Sequence, residues 1–297
     1  MKKLITLYQE RLGLADVTFS RIEHEDTAVA DVYRVTKSSG EKLILKICTR
    51  VNDYLHEVYF LNYFANKLPM PRIIQVVEPE ADLYGAILME CLPGTLINPQ
   101  NFTPSLAYEV GSLLARIHMN QVIGYGDLTQ PITLNADPRV YFTMKFQEGI
   151  AECRGLLPEK LIKKCLDYYN QHIDLLDSVD GPCIIHRDFR AGNVIVYQSK
   201  VQGIIDWSSA RASFTEEDFC FLEHGDWPTS FTTKKSFLDG YASIRPVPDY
   251  NRIMPLLRMS RAIALIGFAV KRGIWKSTLS TKYQFNRHFL ETFFEKL

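Results

Sequence analysis

Between Val17 and Ile47 apolar and polar side chains alternate in three runs, "VTFSRI", "DVYRVTK" and "KLILKI", the last two separated by Ser38, Ser39 and Gly40. Alternation with period two, bounded by turn residues, predicts an antiparallel meander of three strands. From 53 to 66 the period lengthens. Tyr54, Glu57, Val58, Leu61 and Phe64 fall on one helical face, so a helix follows the third strand. "LPMPRIIQVVEP" and "LYGAILMECLPG" predict two more strands, the second stopped by Pro93 and Gly94. Residues 1–90 thus predict a five-stranded antiparallel sheet crossed by one helix.

Beyond Gly94 the texture turns helical. Leu106, Val110, Leu113, Leu114 and Ile117 mark one stripe, and residues 139–153 and 158–177 predict two further helices. Two stretches interrupt this texture, "CIIHRDFRAGNVIV" (183–196) and "KVQGIIDW" (200–207), which together predict a short hairpin laid on helices. From 215 onward helical patterns return, with breaks near Pro228, Pro246 and Pro248. The expected organisation is α+β: a small N-terminal lobe at 1–90, a hinge at 91–95 and a larger, mainly helical lobe at 96–297. A ligand is expected in the cleft between the lobes.

Composition narrows the partners. Lys+Arg and Asp+Glu both total 34 in 297 residues, so no global field draws in nucleic acid or an anionic membrane, and neither is expected as a partner. The six cysteines form no C-x-x-C pair and show no zinc-site spacing, which suits reduced, buried thiols in a cytosolic protein. The opening "MKKLITLYQERLGL" is broken by Gln9, Glu10 and Arg11, so it predicts an amphipathic helix rather than a signal peptide. The longest later apolar run, 262–270, is far shorter than a membrane span. A soluble, cytoplasmic chain is expected, as a monomer or weak dimer.

The 183–196 stretch places a histidine, two arginines, an aspartate and an asparagine where two small residues could close a turn. A hairpin of this length brings Asp206, at the end of "VQGIID", back beside Asn193. One amide oxygen and one carboxylate are hard donors that leave coordination positions open. That suits Mg²⁺, which keeps waters and shares its shell with substrate phosphates. Asp188 stays on the turn, free to orient a hydroxyl and receive its proton. Arg190 is positioned to reach a phosphate with a bidentate fork. On the opposite wall Lys46 is the one charged residue inside "LILKI", and Glu57 on the next helix is its expected carboxylate partner.

"HRDFRAGN" followed by "IIDW", with Lys46 on the third strand and Glu57 on the next helix, resembles the eukaryotic-like protein kinase superfamily. Within it the chain resembles the aminoglycoside phosphotransferase and choline kinase-like branch. "LMECLPG" is similar to that family's hinge, "LLARIH" to its first large-lobe helix, and "EEDFCFLEH" to the helix after the metal strand. The resemblance implies a bilobal protein-kinase-like fold and transfer of the γ-phosphate of ATP or GTP to a hydroxyl of a small acceptor. It implies Asp188 as catalytic base, Asn193 and Asp206 as Mg²⁺ ligands, and Lys46, paired with Glu57, on the α- and β-phosphates. The carbonyl of Glu90 and the amide of Leu92 would hold the adenine edge. His186 and Asp218 would brace the loop.

The chain departs from the family in three places. "EHEDTAVADVYRV" holds no glycine, so the amides of Ala28, Val29 and Ala30 are left to meet the phosphates. Arg187 stands where small-molecule kinases have glycine, as in protein kinases. Asp218 follows Asp206 by only twelve positions, too few for a peptide-docking segment. Two rival readings follow: a pseudokinase that binds nucleotide with little turnover, favoured by the glycine-free loop, and a protein kinase, favoured by "HRD" and opposed by the short segment. For the acceptor, residues 121–182 hold nine acidic against six basic side chains, but 208–297 hold nine against thirteen. That balance leaves an aminoglycoside-like antibiotic, an amino alcohol or a sugar equally open.

Overall fold

In a computed structural model, which describes residues 2–23, 30–271 and 281–295, strand β3 (Lys42–Cys48) occupies the centre of a five-stranded antiparallel sheet. Its neighbours are β2 (Ala30–Lys37), which pairs outward with β1 (Val17–Arg21), and β5 (Gly85–Glu90), which pairs with β4 (Ile73–Val77). The alternation read from the sequence sorts β3 by face. Leu43, Leu45 and Ile47 are buried in a core with Val35, Val77 and Leu88, while Ile44, Lys46 and Cys48 line a cavity on the other side.

The N-terminal stretch is helical, as its polar interruptions predicted. Helix α1 (Lys2–Arg11) contributes Tyr8 to the same core, and the Tyr8 hydroxyl donates to the carbonyl of Tyr84 at 2.7 Å. Helix α2 (Val51–Tyr63) crosses the other face with Tyr54, Glu57, Phe60 and Leu61 buried. Gly85 permits this close packing, because a Cβ there would lie 2.5 Å from the Tyr54 ring.

The chain divides into two compact units: Met1–Ala115 with His186–Ala210 and Trp227–Ile244, and Arg116–Ile185 with Arg211–Asp226 and Arg245–Leu297. The first unit adds a three-stranded sheet to the five-stranded one, β6 (Thr95–Leu96) beside β8 (Val194–Tyr197) beside β9 (Lys200–Ile204). Gly94, at φ +112°, makes the entry to β6 possible, since a side chain there would meet the Val196 carbonyl at 2.1 Å. Helix α3 (Pro104–His118) begins in this unit, and α7 (Phe231–Ala242), opened by a capping box on Ser230, closes it.

The second unit is helical around one short ladder: α4 (Pro138–Cys153), α5 (Glu159–His172), α6 (Glu216–His224), α8 (Met254–Lys271) and α9 (Thr281–Phe293). Asp137 caps α4 by accepting from the Arg139 amide at 2.9 Å, with Pro138 at the first helical position. Gly225 ends α6 in the left-handed region. The expected hairpin is corrected in one respect. Strand β7 (Cys183–Ile185) pairs with β10 (Arg211–Ser213), and the hairpin proper is β8 with β9. Residues 186–193 form a stretch between β7 and β8 that is longer than a turn needs. Among the described residues no helix is long and apolar enough to cross a membrane.

Candidate active site

The polar stretch 186–193 is held by its own backbone. Arg187 and Asp206 both take left-handed φ values, 65° and 63°, an unfavourable conformation for side chains of this kind and one that clusters at functional sites. The turn at Arg187 lets the amide of Asp188 donate to His186 Nδ1 at 3.3 Å. The imidazole is therefore the Nε2–H tautomer, which donates to the Ile205 carbonyl at 3.2 Å. Fully buried, His186 braces the loop against the strand that carries Asp206. Phe189 is buried below it, and Trp227 Nε1 donates to the Phe189 carbonyl at 2.9 Å.

Asp188 Oδ2 accepts from Asn193 Nδ2 at 2.7 Å and from Arg190 Nε at 3.1 Å. Its other oxygen, Oδ1, bonds to no described residue. Arg190 was expected to aim at phosphate. Its guanidinium instead pairs with Asp188 and folds over Gly192, whose missing Cβ would lie 2.5 Å from Nη1.

Asn193 and Asp206 sit at the base of the β8–β9 hairpin, where the Ile205 amide donates to the Asn193 carbonyl at 2.9 Å. The Asn193 amide nitrogen is committed to Asp188, which turns the acceptor oxygen Oδ1 away from that bond and leaves it without a partner among the described residues. Asp206 Oδ1 accepts from Lys46 Nζ at 2.8 Å and Ser208 Oγ at 3.0 Å, and its Oδ2 likewise has no partner among the described residues. Burial alone would raise the Asp206 pKa, but the Lys46 ammonium and the Ser208 hydroxyl hold it down to about 2. Two hard oxygens with free lone pairs, one of them on a carboxylate held in its ionised form near neutral pH, fit Mg²⁺ that takes its remaining ligands from water and phosphate. Among the described residues no group of three His, Cys, Asp or Glu could hold a metal unaided.

Lys46 Nζ also lies 2.9 Å from Glu57 Oε2. Burial opposes its charge, but Asp206 and then Glu57 raise its pKa above the ordinary lysine value, so it stays an ammonium. Burial pushes the Glu57 carboxyl up, against the pull of Lys46. One cation thus serves two carboxylates, and an additional positive charge would be welcome here.

Lys46, Glu57, Arg190, Asn193 and Asp206 belong to the first unit and line one cavity of about 320 Å³; Asp188, in the same unit, is not among its lining residues. Its walls are apolar, with Ile22, Val32, Ile44, Met89 and Ile205, and its polar floor carries Lys46, Glu57, Arg190, Asn193 and Asp206. Ala30, Glu90 and Leu92 line it as well, and the Leu92 amide donates to no described residue. Ala28 and Val29 lie outside the described residues.

Trp227, which the sequence sets in a cluster with Glu223, His224 and Asp226 that either lines an acceptor pocket or merely ends a helix before Pro228, packs against Phe102, Phe189 and Phe237 under the loop. Trp207 packs against Phe60 and Phe64 and is wholly buried. Asp218 accepts from His118 at 3.1 Å, with both side chains fully buried in the second unit. The residues forming these contacts stand up to 147 positions apart in sequence, so local pattern carries no sign of them.

Solved structures share this fold across nearly the whole chain. A thermostable mutant of aminoglycoside phosphotransferase APH(4)-Ia, in ternary complex with AMP-PNP and hygromycin B, superposes with a TM-score of 0.74 at 12% identity, covering 98% of this chain and 97% of that one. Aminoglycoside phosphotransferase APH(2'')-Ib with ADP gives 0.63 at 14%, covering 98% and 97%. The amicoumacin kinase hAmiN, in complex with AMP-PNP, Ca²⁺ and Ami, gives 0.69 at 15%, covering 98% and 93%. No curated protein matches in sequence. The sequence itself matches the family described as phosphotransferase enzymes, APH, over residues 22–256. With that match over most of its length, this chain belongs to the APH phosphotransferase enzyme family.

Proposed function

We propose that this phosphotransferase moves the γ-phosphoryl group of ATP or GTP, with Mg²⁺, to a hydroxyl of a small molecule. The observation that carries the proposal is Lys46 held between Glu57 and Asp206 in the wall of a cavity that also presents Asn193. The apolar walls suit a purine, and the free amide of Leu92 suits its hydrogen-bonding edge. Lys46 would exchange part of its contact with Asp206 for phosphate oxygens. Bound Mg²⁺, held by Asn193 Oδ1 and Asp206 Oδ2, would neutralise charge developing on the transferred group.

Asp188 supplies the remaining function. Asn193 and Arg190 fix its Oδ2, so Oδ1 is oriented and a quarter of the side chain is exposed, enough to meet an incoming hydroxyl. Accepting that hydrogen bond positions the attacking oxygen and gives its proton a destination. Most of the acceleration then comes from alignment and fixed charge. Similar structures hold hygromycin B in one case and Ami in another beside the nucleotide analogue; here an aminoglycoside-like antibiotic, an amino alcohol or a sugar is the proposed class of acceptor. A screen of small hydroxyl compounds for stimulated ADP or GDP release tests it. Release stimulated by one acceptor and lost in Asp188→Asn supports the proposal. Failure of every acceptor, with nucleotide still bound, returns the chain to a binding module.

A further inference from the structure

A second cavity, of about 350 Å³, is lined only by residues of the second unit and shares none with the nucleotide cavity. It forms beyond the Cys183–Ser213 end of the β7–β10 ladder, where the Thr215 amide donates to the Asp180 carbonyl at 2.9 Å and holds the start of α6 against the stretch before β7. Leu175, Val179, Val247 and Ile253 supply its apolar lining. Its volume is that of a site for a small organic molecule rather than for a bare ion.

The polar groups of this cavity are not matched in charge. Glu216 is 3% exposed and accepts from two neutral donors, the Asp180 amide at 3.0 and 3.3 Å and the Thr215 hydroxyl at 3.4 Å. No cation pairs with it among the described residues. Asp180 keeps 33% of its side chain exposed; its Oδ2 takes Arg245 Nη2 at 2.5 Å, and its Oδ1 bonds to no described residue. Arg245 is already engaged on both sides, since its Nη1 donates to the His118 carbonyl at 2.9 Å. Two carboxylates therefore share one guanidinium. Asp249 and Arg252 also line the cavity, but both are exposed and offset each other.

Burial without an opposing cation pushes the Glu216 pKa up to about 7, so a proton stands in for the missing charge on about half the molecules at that pH. The neighbouring titratable groups do not take that part. Burial raises Tyr125 and Cys183 and lowers His118, which holds each toward its uncharged form.

We infer that this cavity binds a small organic ammonium ion, whose N–H groups donate to Asp180 Oδ1 beside Glu216 and whose apolar body lies against Val179, Val247 and Ile253. The ammonium supplies the cation that Glu216 lacks, so binding expels the Glu216 proton. An anion would meet two carboxylates there, with the guanidinium between them already taken.

The test is a calorimetric titration of the full chain with phenethylammonium, 2-phenylethanol and 3-phenylpropionate, which share one apolar body and differ in head group. At about pH 8 the ammonium should bind saturably and at least tenfold more tightly than the alcohol or the carboxylate. At about pH 6 its affinity should fall by up to about tenfold, because Glu216 then holds a proton that the ligand must displace. Near pH ~7 binding should release close to half a proton, read from the heats in buffers of different ionisation enthalpy. Glu216→Gln should remove both the pH dependence and the proton release. Val247→Trp, which fills the cavity from a partly exposed position, should abolish binding while the thermal midpoint stays that of wild type; if that variant does not fold, proton release by wild type against Glu216→Gln decides. Equal affinity for the three head groups, affinity constant between the two pH values, or binding unchanged in Val247→Trp would overturn the site. The readout is binding alone, so the outcome is independent of whether the nucleotide cavity supports turnover.

Discussion

Lys46 Nζ lies 2.8 Å from Asp206 Oδ1, so the lysine of the central strand directly holds the carboxylate at the end of the β8–β9 hairpin. The same ammonium holds Glu57, and its side chain is only 11% exposed. Lys46 and Glu57 are buried while Asp206 keeps 38% of its side chain exposed, and the three groups in contact depend on one another strongly. Lys46→Met should therefore cost about 3–5 kcal/mol, the magnitude for stripping a buried pair of one partner. Adding Glu57→Gln should recover part of that loss. Urea unfolding of both single variants and the double variant measures it; additive losses would mean the groups are not coupled.

Asp188 offers one fixed and one free oxygen, which makes it separable from the binding machinery. Asp188→Asn keeps the side chain's size and removes the proton acceptor. The expected result is a fall in turnover of about 10²- to 10⁴-fold, the usual contribution of a general base, with nucleotide KM nearly unchanged. A rise in nucleotide KM with intact turnover would place Asp188 among the nucleotide contacts instead.

How much of this was legible depends on distance along the chain. The five-stranded sheet was readable because each strand alternates within a few residues, as Leu43, Ile44, Leu45 and Lys46 do. Helix α2 was readable from Tyr54, Glu57 and Leu61 alone. The Lys46–Asp206 contact was not, since the residues are 160 apart and neither local pattern names the other. The same holds for β7, which finds β10 rather than the nearer β8, and for Trp227, whose indole reaches back 38 positions to Phe189. Arg190 shows a further limit. Its position fitted a phosphate contact equally well, and only packing over Gly192 reveals Asp188 as its partner.

The pKa of Asp206, about 2 in the folded chain, gives a signed acid dependence. An unfolded aspartate titrates near ~3.9, so folding keeps this group ionised where the unfolded chain takes up a proton. Its stabilising effect is complete above pH ~4 and is lost as pH falls through about 2. The stability difference between wild type and Asp206→Asn should be flat above pH ~4 and shrink below it. Chemical denaturation at several pH values reads this directly; a difference that grows on acidification would contradict the lysine contact.

Trp227 carries a hydrogen bond whose loss can be isolated. Trp227→Phe keeps an aromatic ring near Phe102, Phe189 and Phe237 while it removes the Nε1–H donated to the Phe189 carbonyl together with part of the ring volume. The stability loss should be about 1–2 kcal/mol, the magnitude for an unsatisfied buried carbonyl plus reduced packing. Because Phe189 follows Asp188, turnover should fall more than nucleotide KM changes. Equal effects on both would mean that the tryptophan supports the fold generally and not the loop.

Glu216 provides a pH dependence of opposite sign. It is 3% exposed at the start of α6, and it accepts only from neutral donors, the Asp180 amide at 3.0 and 3.3 Å and the Thr215 hydroxyl at 3.4 Å. Burial without a cation pushes its pKa up to about 7. An unfolded glutamate titrates near ~4.3, so between those values the folded chain binds the extra proton. The group's contribution is therefore greatest below pH ~4.3 and is lost as pH rises through 7, by up to about 3 kcal/mol. Glu216→Gln keeps an acceptor for the Asp180 amide and cannot ionise. Its stability relative to wild type should rise steadily from pH ~4.3 to 7 in urea titrations. A relative stability that stays constant over that range would show that a counter-charge reaches Glu216 in solution.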